Sequence, residues 1–222
     1  AKLRVLPRES YQQGIIVLIA GLLLYIVGLR GEFFQVSLFS FLIVLGGLFL
    51  FFFGKKITLQ LLFPLGFLIF AIPLPSYYES LAAPLQALSS WGSTGIIRLL
   101  GIPVLREGNI IYLPNFTLDV AIVCSGLKAL ILVTTLGAFY AYFTQKLLGR
   151  RLALFLLSPP IAVIANIVRI VIIALIVRFS GAKLAFKFIE DFAGILIFVV
   201  AGALLVTAGW VIEWIFRKKI TG

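Results

Sequence analysis

The sequence predicts an all-α integral membrane protein with about six transmembrane helices, an extracytoplasmic interfacial segment and a short hairpin. Three observations predict it. The chain is 62% hydrophobic, where a soluble domain is nearer half apolar, and its mean hydropathy is +1.18. Apolar runs approaching the roughly 20 residues needed to cross a bilayer recur along it. Lysines and arginines gather at the ends of those runs, where they set topology and meet anionic head groups.

The first span runs from about Gly14 to Leu29 and the second from about Val36 to Phe53. The third runs from about Ile57 to Leu74 and ends in Pro73-Leu74-Pro75. The fourth covers about Ser125 to Phe143, the fifth about Leu152 to Val177, and the sixth about Gly194 to Phe216. Pro159-Pro160 is expected to kink or break the fifth. Hydrophobicity continues far past the first run and no small-residue cleavage site follows it, so that run is not read as a cleaved signal peptide.

Cations fix the expected orientation. Lys2, Arg4, Arg8, Lys55, Lys56, Lys146, Arg150, Arg151, Arg217, Lys218 and Lys219 share one set of helix ends. Arg30, Arg98, Arg106, Arg178, Lys183 and Lys187 share the other. The larger, tighter set marks the cytoplasmic side, so both termini are expected there, in a multi-pass protein of the cell (inner) membrane. The long stretch from Ser76 to Val123 is then extracytoplasmic. Its first half, around Leu81 to Leu100, is leucine-rich but interrupted by Pro84, Gly92 and Gly95. It reads as an interfacial segment with Trp91 as an anchor. Its second half carries two β-prone runs around Glu107-Gly108-Asn109, a hairpin signal. With no internal repeat and no disordered linker, residues 1–222 read as a single polytopic membrane domain.

Composition excludes several functions. The net charge of +11 does not indicate nucleic acid, because the cations flank apolar runs. The absence of histidine removes histidine metal sites and a Ser-His-Asp triad, and a single cysteine argues against zinc and iron–sulfur sites. There is no phosphate-binding loop and no GxGxxG. No cofactor is expected.

The candidate chemistry starts at Cys124, the only cysteine, in Val123-Cys124-Ser125-Gly126-Leu127-Lys128. It falls where a polar loop turns into the fourth span. Backbone N–H groups at a helix start, and Lys128 one turn on, favour a thiolate, while apolar surroundings oppose it. The alternative is a small buried apolar residue, common for free cysteine. Asn166 and Arg169 lie three apart on one helix face of the fifth span. Arg169 falls on the order of 12 Å below the outer end of that span. A cation there costs at least about 2.5 kcal/mol, so it should face the bundle interior. It is either a paired structural arginine or a guanidinium that stabilises a thiolate or oxyanion. Glu190 and Asp191, the only adjacent acidic pair, precede the sixth span as simple caps or as part of a site. Lys183 and Lys187, with Phe186 and Phe188, suggest a basic interfacial segment that meets anionic lipids. Three spans thus place their unusual polar residues at one depth, the expected layout of an intramembrane site.

At Cys124-Ser125-Gly126-Leu127, Asn166-Ile167-Val168-Arg169-Ile170 and Glu190-Asp191-Phe192-Ala193-Gly194 the chain resembles the exosortase/archaeosortase family of membrane-embedded cysteine transpeptidases. Gly101-Ile102-Pro103-Val104 and Gly108-Asn109-Ile110-Ile111-Tyr112-Leu113-Pro114 also resemble that family's approach to its cysteine. The resemblance runs from about residue 73 to 194. It implies a protein that recognises a C-terminal sorting signal: a short motif, a transmembrane helix and a basic tail. It implies Cys124 as the nucleophile, acting at the outer face, and Arg169 as the electrostatic stabiliser. Ser125, Gly126, Lys128, Asn166 and Asp191 fall among the supporting positions. The family's third member is often a histidine, in relatives arginine or asparagine; here Glu190 stands nearest. A carboxylate can orient Arg169 or accept a proton, but cannot act as a cationic acid. Two rival readings follow: a non-catalytic scaffold or sorting-signal-binding protein, and a small transporter.

Overall fold

The computed structural model describes residues 11–72, 79–120 and 126–218. The chain divides into two compact units, Ala1–Ser76 and Tyr77–Gly222.

The first unit is a helical hairpin. Helix α1 is Gly14–Arg30 and α2 is Phe34–Phe67, followed by a 3-10 turn at Leu68–Ala71. Within α2, Gly54 has φ 76 and ψ 173, which interrupts the helical path. Only glycine adopts such a conformation without strain. It divides α2 into limbs 34–53 and 55–67, and Lys55 and Lys56 are exposed directly after the break. The expected boundary between the second and third spans is this glycine. Helix α1 buries Gly14, Gly21 and Gly28, while α2 buries Ser40, Gly47 and Gly54. A Cβ on Gly14 would stand 2.5 Å from the Phe51 nitrogen, and one on Gly47 would stand 2.6 Å from the Leu18 nitrogen. Small residues seven apart therefore let two backbones meet, as apolar helices in lipid require. The absence of a side chain is the packing device here.

The second unit is built around α5. Its elements are α3 (Glu79–Leu99), β1 (Leu105–Glu107), β2 (Ile110–Leu113), β3 (Phe116–Asp119), α4 (Gly126–Thr144), α5 (Leu148–Ser180), α6 (Ala182–Asp191) and α7 (Ala193–Lys218). Helix α5 packs against α3, α4, α6 and α7. It remains helical through Pro159 and Pro160, so of the expected kink or break, the break does not occur. Neighbouring helices hold it. Ser158 donates to the Leu154 carbonyl at 3.1 Å, and α4 comes so close that a Cβ on Gly137 would stand 1.9 Å from Ser158 Oγ. Ala129, Val133, Leu154, Ile161, Ala201 and Leu205 form the core shared by α4, α5 and α7.

Helix α3 corrects the expectation that this segment is interrupted. Pro84, Gly92 and Gly95 all lie inside one continuous helix. Leu85 and Ser89 border a cavity with Ala162 and Asn166, Gly92 abuts Ile167, and Ile97 shares a core with Ile173 and Val177. So α3 runs alongside α5 in the same direction. Its buried face carries Gln86, Ser89, Ser90, Ser93 and Thr94. Ser90, Ser93 and Thr94 donate back to the carbonyls of Ala87, Ser90 and Ser90. Those hydroxyls are satisfied within the helix and do not need water.

The hairpin at Glu107-Gly108-Asn109 forms as expected, and a third strand extends it into an antiparallel sheet in the order β1-β2-β3. Gly108 has φ 59, which suits the first central position of a two-residue hairpin turn. The second turn, Pro114-Asn115, places Asn115 at φ 60, a pattern proline followed by asparagine favours. Ile111, Leu113, Phe116 and Leu118 pack against the C-terminal half of α5 and against α6. Helix α6 is amphipathic: Ala185 is buried, Phe186 meets Phe116 at 4.9 Å, and Lys183 and Lys187 are exposed.

Among the described residues three helices are long and apolar enough to cross a membrane: Phe34–Ala71, Leu148–Ser180 and Ala193–Phe216. Gly14–Arg30 and Ala129–Thr144 are shorter apolar helices. The chain is a helical multi-pass membrane protein; the expected count of six is not reached on this criterion.

Candidate active site

Asn166 and Arg169 occupy the buried face of α5, at 1% and 7% exposure. The buried positions 162, 165, 166, 169, 170 and 173 follow the three-and-four spacing of a helix face turned inward. Arg169 lies further from the helix end than expected, roughly 16 Å at about 1.5 Å per residue, because α5 continues to Ser180. The carboxamide oxygen and nitrogen of Asn166 have no hydrogen-bond partner among the described residues. Leaving such a group unmet costs about 1–3 kcal/mol. Beside it lies a cavity of about 10 Å³, bordered by Ser89, Leu130 and Ala162, room for about one water.

Cys124 and Ser125 fall outside the described residues, and so does the side chain of Lys128. The flanks are described. Val120 is fully buried and its N–H donates to the Asn109 carbonyl at 3.0 Å. Asn109 in turn donates through Nδ2 to Gln86 Oε1 at 3.0 Å, and Ser90 Oγ donates to the Gly108 carbonyl at 3.4 Å. The turn 108–109 is therefore tied to the stretch of α3 that borders Asn166. On the other flank, α4 is described from Gly126, and Leu130 borders the Asn166 cavity. Both flanks of residues 121–125 thus approach the middle of α5. The C-terminal half of α5 is covered by the sheet.

Glu190 and Asp191 are exposed at the C-terminal end of α6, with Phe192 between them and α7. They end one helix and do not lie in the first turn of the next, which weakens the capping alternative. No group of three or more metal-ligating side chains occurs among the described residues.

The polar face of α3 was not singled out as part of a site, although Gln86, Ser89, Ser90, Ser93 and Thr94 recur at helical spacing. Nor was Asp119, half-buried at the end of β3, opposite Ile110 and directly before Val120. It is the acidic residue nearest Cys124 in the chain.

A family model described as transmembrane exosortase matches residues 1–207. No curated protein and no solved structure matches the chain significantly.

Proposed function

Because the chain belongs to the transmembrane exosortase family, a family of membrane proteins that act in protein sorting, we propose that it is a membrane cysteine transpeptidase. It would cleave the C-terminal sorting signal of exported proteins. The observation that carries this reading is the family match, which spans the cysteine block and the Asn166–Arg169 face of α5.

The Cys124 sulfur attacks the carbonyl carbon of the peptide bond ahead of the substrate's membrane helix, forming a C–S bond. The carbonyl oxygen becomes an oxyanion, which the Arg169 guanidinium stabilises. A carboxylate takes the thiol proton and returns it to the leaving nitrogen as the C–N bond breaks. The thioester then passes its acyl group to an amine or other acceptor, and the thiol is regenerated. Glu190 is the assigned carboxylate and Asp119 the alternative. Ser125, Gly126, Lys128, Asn166 and Asp191 support the site. The partners are membrane-anchored proteins bearing a transmembrane helix and a basic tail, together with anionic lipids. The protein is read as one polytopic domain crossing the cell membrane six times, with both termini cytoplasmic and the site facing outward.

Co-expression with a candidate sorting-signal protein from the same genome tests this reading. Loss of the tail with the parent, and none with Cys124→Ala or Arg169→Ala, is the expected result. Unchanged processing in a stable Cys124→Ala variant would overturn it. The lack of histidine supports a second reading, a scaffold that binds sorting signals without cleaving them. Substrate co-purification without cleavage, insensitive to thiol alkylation, would favour that reading.

A further inference from the structure

We propose that the groove between the C-terminal half of α3 and strand β1 binds an anionic phospholipid, its phosphate on Arg98 and Arg106. The groove has a volume of about 680 Å³, and its lining includes Trp91, Gly95, Ile96, Arg98, Leu99 and Arg106. Two guanidiniums from different elements converge on it, and no carboxylate is among its described lining residues. Glu107 is next in sequence to Arg106, but successive residues of a strand point to opposite faces.

Arg106 donates through Nη1 to the Gly108 carbonyl at 2.8 Å, which holds the guanidinium in place and leaves its other N–H groups for an acceptor. Arg98 is exposed. Both are thus set for the charge-assisted, forked bonds that guanidinium makes with phosphate. Apart from Thr94, whose hydroxyl donates to the Ser90 carbonyl, the rest of the groove is apolar. Leu99 is 88% and Trp91 66% exposed, and space lies open above Gly95. From Arg98 to Trp91 is about 10 Å along the helix, comparable to the upper part of an acyl chain. A charged end over an apolar trough, with an indole at its side, matches a phospholipid in both charge and shape. The uncompensated positive charge selects an anionic head group over a zwitterionic one. This inference does not depend on Cys124 being a nucleophile.

Native mass spectrometry of the purified full chain, titrated with phosphatidylglycerol or phosphatidylcholine, is the test. The expected result is tighter retention of phosphatidylglycerol. Arg98→Gln/Arg106→Gln should lower that affinity by about tenfold or more, as expected on losing charge-assisted bonds. Arg178→Gln removes a cation that lines a different groove and should leave binding unchanged. Thermal melting of each variant verifies folding, and Arg98→Gln alone, at an exposed position, replaces the double variant if that one fails to fold. Equal retention of the two lipids, or undiminished binding by the arginine variant, overturns the proposal. Release of the lipid by a sorting-signal peptide would assign the groove to the substrate and overturn it too.

Discussion

Asn166 is a residue whose cost is visible and whose benefit must lie elsewhere. Its amide is buried without partners among the described residues, so Asn166→Leu, similar in volume, should leave the melting temperature unchanged or raise stability by about 1 kcal/mol. Under the proposed function the same variant lowers processing at least about tenfold, since the amide would engage the substrate backbone. Thermal melting and the co-expression assay, run side by side, check the two halves. A structural amide would give the opposite pattern, lower stability with processing retained in the surviving protein. The carboxylates are separable in the same way. Glu190→Gln should reduce processing about 100-fold, the usual contribution of a general acid–base group, and Asp119→Asn should not. The reverse result would move the proton-carrying role to β3.

At the scale of elements, glycine decides the packing of both units. Gly21 and Gly47 each lie where a side chain would collide with the facing helix, at 2.8 Å and 2.6 Å for the first carbon alone. Gly21→Leu or Gly47→Leu should destabilise the α1–α2 hairpin by about 1–3 kcal/mol, read as a lower melting temperature in detergent. Much of this level was legible in the sequence. Apolar runs and flanking cations located α1, the first limb of α2, α4, α5 and α7 to within a few residues, because lipid allows little besides helix. The turn at Gly108 was legible because few residues adopt its backbone. What escaped was the role of context. Pro159-Pro160 reads as a kink or break, yet α5 stays helical through it, with α4 packed closely at Ser158 and Gly137. Pro84, Gly92 and Gly95 read as interruptions of α3. Its polar residues, however, share one face, and the hydroxyls of Ser90, Ser93 and Thr94 bond within their own helix. For the candidate site, the sequence pointed to the buried pair Asn166 and Arg169. It also pointed to Glu190, which is exposed, and not to the α3 face, which meets Asn166 only through the packing of segments far apart in the chain.

For the whole molecule, the basic clusters make the topology testable. Lys146, Arg150 and Arg151 follow α4, with Arg150 lying 5.2 Å over the Phe216 ring and Arg151 4.7 Å over that of Tyr142. Reporter fusions after residue 146 and after residue 218 should both report the cytoplasm, and one after residue 181 the opposite side; any other pattern would refute the six-span reading. The sheet has a bearing on substrates as well. Asn166 lies roughly 21 Å from the end of α5 at about 1.5 Å per residue, and β1–β3 occupy the space alongside. An extended peptide descending that distance needs about six residues. Under the proposed function such a depth would act as a ruler: the exported domain would have to hang on a tether at least that long before its cleavage point arrives. Deleting tether residues one at a time should leave cutting intact until about six remain, then abolish it abruptly, whatever the amino acids removed.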